Sequence, residues 1–254
     1  MALELLRGLC LAADPPLDDA SAREIVHRLA QAGWLAQADP LVSAALEGEE
    51  VPSGTGCLWA RLQIALRHWN AFKRIRTLLL RGPLGEATAC SWIRALIEQR
   101  EPLQLLRLAS VGEHWLRRSP PAWGEMAAGL RELGVTREGH FWTWGWQEMP
   151  ELTARDLLNV AEILRANAKD DDAAEANRAA LDRAASGPIR AVHACWLAAD
   201  DVRRHDLAAA EIRLPGVDPA GFTPDQRFLY TLVTAAVSVG RTDAARRPEV
   251  LSDA

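Results

Sequence analysis

The side chains best suited to metal chemistry are Glu24 and His27, which are three residues apart. On a helix this spacing puts a carboxylate and an imidazole on one face. A di-iron centre in a helical bundle needs two such pairs and two further carboxylates, and one pair is present. We therefore interpret Glu24 and His27 as a surface ion pair and predict no metal site. Four further histidines show no metal-ligand spacing, and we interpret them as packing or surface residues: His114, His140, His193 and His205.

Nucleophilic catalysis has no local signature here. Ser91, Ser110 and the cysteines lie in no nucleophile elbow. The acidic run 170–172 precedes a predicted helix, where backbone dipoles favour negative charge, so we interpret it as a helix start. Because a catalytic triad is defined in space, an all-helical enzyme with a site assembled from distant residues remains an alternative to a non-enzymatic protein.

Phosphate-binding and nucleic-acid-binding signals are also missing. Neither GxGxxG nor GxxxxGK[ST] occurs, so no glycine-rich turn leads into a helix to cradle a phosphate. The net charge is −5, and all basic residues except Lys73 and Lys169 are arginine. A basic footprint is the usual mark of a nucleic-acid-binding protein. We predict no cofactor and no nucleic-acid partner.

The most unusual segment is the tryptophan-rich run 141–146. On a helix Trp142 and Trp146 share a face, whereas Trp144 points away and is expected to reach solvent, a groove or another subunit. Large indoles also fill the seams between helical hairpins. We predict core positions for six further tryptophans: Trp34, Trp59, Trp69, Trp92, Trp115 and Trp196.

Composition predicts an all-helical globular protein. The chain has 254 residues, 49% apolar and 25% charged, which is enough for one or two domains with a real core. Alanine, leucine and arginine are strong helix formers, and no sustained alternation of β-branched residues predicts a strand.

The cellular location of the protein is predicted from the spacing of its cysteines and the length of its apolar runs. Cys10, Cys57, Cys90 and Cys195 form no CxxC pair, which is typical of reduced, buried thiols in a cytoplasmic protein. The N-terminus lacks a basic start and a long apolar run, so we predict no secretory signal. No stretch reaches about 18 uncharged apolar residues, so we predict no membrane insertion.

Helix boundaries can be predicted from capping residues. Ser21 and Glu24 form a potential capping box for a helix that stops at Gly33. Thr153 opens a helix whose Leu157, Ala161, Leu164 and Ala168 share a face. Thr223, followed by proline and then glutamine at the third helical position, opens another that ends at Gly240. Its predicted apolar face comprises Phe228, Leu232, Ala235 and Val239.

Small residues recur at intervals of 34 to 36 residues. The spacing is clearest near the C-terminus, where paired alanines follow a polar turn three times. Extrapolation backwards gives seven phased positions: Ala36, Ala71, Leu105, Gly139, Ala174, Ala209 and Ala245. A period of this length is the sequence signature of stacked helical hairpins.

The repeats resemble tetratricopeptide repeats. The stretches Leu157–Pro188, His193–Pro219 and Leu229–Ala245 carry the resemblance, and Trp123, Leu158 and Leu229 stand where that family has a first-helix aromatic residue or leucine. Most of the repeats lack the family's first-helix glycine and tyrosine. The resemblance implies a right-handed superhelix whose first helices line a concave, partner-binding groove.

The resemblance also implies which residues line that groove. Arginine in a groove suits carboxylates, and asparagine suits peptide amides. Carrying over the repeat phase, and adding the outward indole, gives the predicted groove residues: Gln63, Arg94, Arg131, Asn159, Arg227, Tyr230 and Trp144.

The sequence thus predicts an all-α, right-handed solenoid of six or seven helical hairpins over residues 1–245, with a disordered tail at 246–254. We expect a non-enzymatic scaffold, adaptor or chaperone-like protein that grips another polypeptide. A self-assembling structural protein is a further alternative, and homo-oligomers remain possible.

Overall fold

The computed structural model describes residues 8, 17–48, 50–184 and 187–252, with side chains described as far as Gly240. The predicted all-helical class is confirmed: helix makes up 80% of the described residues, which form 13 α-helices and no strand. The α-helices are α1 (Asp19–Gln31), α2 (Leu35–Ala45), α3 (Ser53–Ala65), α4 (Lys73–Leu79), α5 (Pro83–Glu98), α6 (Pro102–Leu116), α7 (Pro120–Glu132), α8 (Thr136–Thr143), α9 (Ala154–Ala166), α10 (Asp170–Arg183), α11 (Pro188–Arg203), α12 (Leu207–Arg213) and α13 (Pro224–Ser252). Short 3₁₀ segments lie at Trp69–Phe72, Trp146–Glu148, Leu214–Gly216 and Pro219–Gly221.

Two compact units divide the chain, residues 1–145 and 146–254. In the first unit the first helices of four successive hairpins, α1, α3, α5 and α7, pack in a row, each on the next. The second helices α2, α4 and α6 pack against the first helix that follows. Each hairpin therefore buries much of its apolar surface against a neighbouring hairpin.

Tryptophan fills the core of the first unit. Trp59 of α3 and Trp92 of α5 are 2% exposed, with ring centroids 5.7 Å apart. Trp142 of α8 stacks on Trp123 of α7 and donates its indole N–H to the Trp123 carbonyl at 3.1 Å. The predicted core position of Trp34 is not observed, because this side chain is 43% exposed.

The second unit is built around α11. This helix packs on α10, α12 and α13, and α10 also packs on α9. Val192 and Cys195 of α11 meet Phe222, and Ala198 meets Val233 of α13. A single central helix therefore organises the core of this unit.

The hairpin turns repeat with one backbone geometry. In each turn a residue with positive φ follows a first helix, and the next residue donates its N–H to the carbonyl five residues earlier, at 2.9 Å. This is the Schellman cap of a helix C-terminus. The residues with positive φ are Gly33, Arg67, Arg100, Gly134, Ala168 and His205, at intervals of 33 to 37 residues. Gly33 is the member of this set named above as a predicted helix end, and its four non-glycine members carry no such signal in the sequence.

The phased small residues lie near the beginning of the second helices. Ala36, Leu105, Gly139, Ala174 and Ala209 all lie within the first five residues of their helices. Ala71 lies in the 3₁₀ turn that leads into α4, and the side chain of Ala245 lies outside the described set. The helical hairpin repeat is present in each unit, whereas the right-handed superhelix and the single continuous domain stay predictions.

Several predicted helix ends need correction. α1 begins at Asp19, because Asp18 accepts a hydrogen bond from the Ser21 N–H at 2.7 Å and caps the helix in place of Ser21. Thr153 and Thr223 cap α9 and α13 as predicted. α13 continues beyond Gly240 to Ser252, so the described backbone of the predicted tail is helical; residues 253–254 lie outside the described residues.

The apolar face of α13 also differs from the expectation. Leu229, Val233 and Val237 pack towards α11 and α12. The predicted face lies on the other side: Phe228, Leu232 and Val239 are 66%, 51% and 60% exposed, and Ala235 is exposed as well.

Candidate functional site

A cleft of about 220 Å³ opens between α1, α3 and α5 in the first unit. Its apolar lining consists of small or aliphatic side chains: Val26, Ala30, Ala65 and Ala95. Its polar lining consists of Arg23, His27, Arg61, Glu98 and Gln99. Because three of the apolar side chains are alanines, the backbone of a bound chain can approach the helices closely.

One buried arginine holds the three helices of the cleft together. Arg61 of α3 is 5% exposed and donates from Nε and Nη2 to the two carboxylate oxygens of Asp19, both at 2.7 Å. It also donates to Glu98 of α5 at 2.8 and 3.2 Å. Bidentate arginine–carboxylate pairs fix orientation as well as distance, so α1, α3 and α5 are tied at one point.

The network extends along α5. The Ser91 hydroxyl donates to Asp19 at 2.5 Å, and Arg94 lies 3.6 Å from the same carboxylate. Arg94 also pairs with Glu125 of α7, and Arg23 lies 3.6 Å from Glu98 at the edge of the cleft. The charges are thus nearly balanced along the row of first helices.

Hydrogen bonding keeps the buried members of this network ionised. Burial disfavours the charged forms of both Asp19 and Arg61. The hydrogen bonds that Asp19 receives from Arg61 and Ser91 outweigh this and lower the pKa of its carboxyl. The hydrogen bonds from Arg61 to Asp19 and Glu98 likewise raise the pKa of the guanidinium. The ion pair therefore persists across the physiological pH range.

The predicted groove residues of the first unit lie in different surroundings. Arg94 is part of the network beside the cleft. Gln63 is 4% exposed and donates to Asp39 of α2 at 2.6 Å, so it faces the second layer of helices. Arg131 is half-buried and donates to Glu132 at 3.3 Å. Trp144 is 73% exposed, as expected.

Three predicted groove residues lie in the second unit. Asn159 of α9 is 6% exposed, which differs from the expected solvent-facing position. Arg227 is exposed and donates to the Ala220 carbonyl at 3.4 Å. Tyr230 is half-buried, with its ring edge-on to Phe222 at 6.2 Å. In α3 every residue from 54 to 64 is buried, so no helical phase would have exposed Gln63.

Sequence reasoning missed most of the cleft. His27 was considered only as a partner of Glu24, but Glu24 pairs with Arg28 at 2.6 Å instead. The available signal was the spacing of Arg23, His27 and Ala30, which places them along one side of α1. Nothing in the sequence indicated that Glu98 and Gln99 would lie beside them.

The acidic run 170–172 and the cysteines are explained by their structural surroundings. The acidic run 170–172 forms the first turn of α10, where Asp170 pairs with Arg203 of α11 and Asp171 pairs with Arg204, the C-cap of that helix. Burial raises the pKa of the Cys57 and Cys195 thiols to about 11 and that of Cys90 to about 12. These thiols are free and buried, so their thiolate forms are rare at neutral pH. Cys10 lies outside the described residues.

The second unit contains a partly buried arginine stacked on a tryptophan. The Arg165 guanidinium lies 4.0 Å from the centroid of the Trp196 ring and donates to Asp200 at 3.2 and 3.3 Å. Burial lowers the pKa of Arg165, opposed by Asp200. The arrangement joins α9 to α11.

The described part of the chain contains no group of three His, Cys, Asp or Glu side chains able to hold a metal ion. None of the helices in the described ranges has the length and apolar character that a membrane span requires. Comparisons with family models, curated proteins and solved structures found no match to the chain. The resemblance to tetratricopeptide repeats therefore stays a prediction.

Proposed function

We propose that the chain is a non-enzymatic scaffold that binds an extended segment of another protein in the cleft between α1, α3 and α5. The observation that carries the proposal is that alanines and exposed hydrogen-bonding groups line one cleft. Such a surface offers a small aliphatic side chain an apolar seat and offers the peptide backbone donors and acceptors. The role of adaptor or chaperone-like binder follows from this mode of binding.

The rigidity of the cleft supports the same proposal. An ordered site binds with less loss of conformational entropy than a mobile one, and the Arg61 pairs fix three of its walls. In the proposed architecture the hairpins follow a right-handed superhelix, and the cleft is part of its concave side. We place the protein in the reducing cytoplasm, in keeping with its free thiols.

The nearly balanced charge of the lining favours a segment of mixed polarity. Arg23 and His27 belong to α1, Glu98 belongs to α5, and Gln99 is able both to donate and to accept. A strongly acidic or strongly basic ligand would meet repulsion from one side. We therefore expect bound peptides to combine a small aliphatic residue with polar residues of both signs.

The test is selection of a displayed library of random 12-residue peptides on the purified protein. Enriched peptides should bind the wild type and lose at least about tenfold in affinity to Ala30→Trp, because the indole at this lining position would obstruct the cleft. Ala30 is exposed, so this variant leaves the core intact. Ala44→Trp, at an exposed alanine of α2, is the matched control and should bind normally.

Two outcomes would contradict the proposal. One is a selection that enriches no peptide. The other is a set of enriched peptides whose affinity for Ala30→Trp equals that for Ala44→Trp, which would place binding elsewhere.

A further inference from the structure

A second cavity, of about 200 Å³, lies in the first unit where successive hairpins are joined. It is bounded by the end of α4, the first turn of α5, the end of α6 and the turn that leads into α7. Its lining residue from α5, Glu86, lies twelve residues before Glu98 of the cleft, which is about 18 Å along the helix axis. This inter-hairpin cavity is therefore separate from the cleft.

Short turns fix the walls of the inter-hairpin cavity. Three residues join α4 to α5, and the last of them is Gly82, with φ of 60°. Three residues also join α6 to α7, and the last of them, Ser119, caps α7. Pro83 and Pro120 then occupy the first helical positions, where the proline ring already has the helical φ. The lining side chains therefore project from well-defined backbone positions.

Charges of opposite sign line this cavity without pairing. Arg76 and Arg118 are exposed, and Glu86 is half-buried. Among the described residues Glu86 forms no ion pair with either arginine, and Arg76 forms no hydrogen bond or ion pair at all. Each of the three groups can therefore pair with a bound molecule.

Two contacts orient these charged groups. The hydroxyl of Ser119, which is 3% exposed, donates to Glu86 at 3.3 Å and fills only part of the acceptor capacity of the carboxylate. Nη2 of Arg118 lies 3.2 Å from Nε2 of His114. Because a guanidinium can only donate, the imidazole accepts this bond, and most side-chain N–H groups of Arg118 remain available.

The rest of the lining includes an apolar wall. Trp115 and Leu79 are half-buried, and Leu80 is 82% exposed. A cavity of about 150 Å³ holds a benzene-sized molecule, so this cavity suits a ligand that is somewhat larger. Such a ligand would place one apolar group against the indole and leucines and still reach the charged groups.

We propose that the inter-hairpin cavity binds a free α-amino acid with an apolar side chain of about the size of leucine. The ligand's carboxylate pairs with Arg76 and Arg118, and its ammonium group pairs with Glu86. Hydrogen bonds between ionised groups are the strong ones, so a ligand that carries both charges gains on both counts. The side chain packs on Trp115.

Three small molecules test which parts of the ligand are recognised. They are L-leucine, 4-methylpentanoate, which is leucine without the ammonium group, and 3-methylbutylamine, which is leucine without the carboxylate. In isothermal titration calorimetry leucine should bind the wild type with a Kd of about 1 mM or tighter. Each analogue should bind at least about tenfold more weakly, because it lacks one charged hydrogen-bonding group.

Variants test the residues in the same way. Arg76→Gln should weaken leucine binding at least about tenfold, because it removes a charged donor. Arg137→Gln, at an exposed arginine of α8 outside the cavity, is the matched control and should bind leucine normally. Glu86→Gln keeps an oxygen for the Ser119 hydroxyl but removes the negative charge. This variant should bind leucine and 4-methylpentanoate about equally.

Four results would overturn the proposal. The first is leucine binding by the wild type that is too weak to detect at about 10 mM. The second is an analogue that binds the wild type as tightly as leucine does. The third is equal affinity of Arg76→Gln and Arg137→Gln for leucine, and the fourth is a Glu86→Gln protein that still prefers leucine to 4-methylpentanoate.

Discussion

At the scale of single residues, His193 shows how burial sets a protonation state. It is 0% exposed, and its ring nitrogens lie 2.8 Å from the Asn177 side-chain oxygen and 2.8 Å from the Ala154 carbonyl. Two acceptors would require a charged ring, but burial lowers the pKa of His193. A neutral ring fits if the Asn177 amide is turned so that its nitrogen donates to Nδ1. As placed, that nitrogen has no hydrogen-bond partner, which agrees with the turned assignment.

The lowered pKa predicts a pH-dependent stability. Below the ordinary histidine value of 6.5 the unfolded chain binds a proton at His193 that the folded chain does not bind. The free energy of unfolding should therefore fall between pH 7 and pH 5. Urea titrations should show a smaller fall for His193→Gln than for the wild type. The exposed control His114→Gln should keep the wild-type slope, and equal slopes for all three proteins would refute the assignment.

The left-handed turn residues lead to a second prediction at this scale. Ala168 has φ of 56°, a region where an L-residue costs roughly 1–2 kcal/mol. Ala168→Gly should raise the free energy of unfolding by up to about 1 kcal/mol, since glycine adopts this conformation readily but loses more chain entropy. Thermal unfolding followed by circular dichroism would measure it. Ala166→Gly, at the last residue of α9, is the control and should destabilise.

At the scale of elements, the Arg61 pairs tie three helices together. Removing Arg61 would leave Asp19 buried without its bidentate partner, so Arg61→Ala should lower the free energy of unfolding by about 3–5 kcal/mol. Arg28→Ala breaks an exposed pair on α1 and should change it by less than about 1 kcal/mol. Urea unfolding of both variants would measure the difference, and similar small effects would show that the network contributes little.

Helix boundaries were more predictable than helix faces. Thr153 and Thr223 predict where their helices begin, because helix capping depends only on residues that are close in the sequence. The face of α13 was assigned wrongly because its segment is uncharged all round, so periodicity gave no polar side to exclude. The burial of Gln63 depends on helices on several sides of α3, and that information lies elsewhere in the chain.

For the whole molecule, the repeat period was largely predictable. The first helices begin at positions 19, 53, 83, 120, 154, 188 and 224. The spacing of these starts is nearly regular because hairpins that pack side by side must be similar in length. The cleft was not predictable, since Arg23 and Glu98 lie 75 residues apart in the sequence. These two residues meet at the edge of the cleft only in the folded chain.

The uneven placement of the tryptophans has an optical consequence. Trp59, Trp92 and Trp123 are shielded, whereas Trp34 and Trp144 face water. The protein's fluorescence should therefore have two components, one blue-shifted and insensitive to iodide and one red-shifted and readily quenched. The intrinsic tryptophan fluorescence therefore reports on both the interior and the surface of the protein without an added dye.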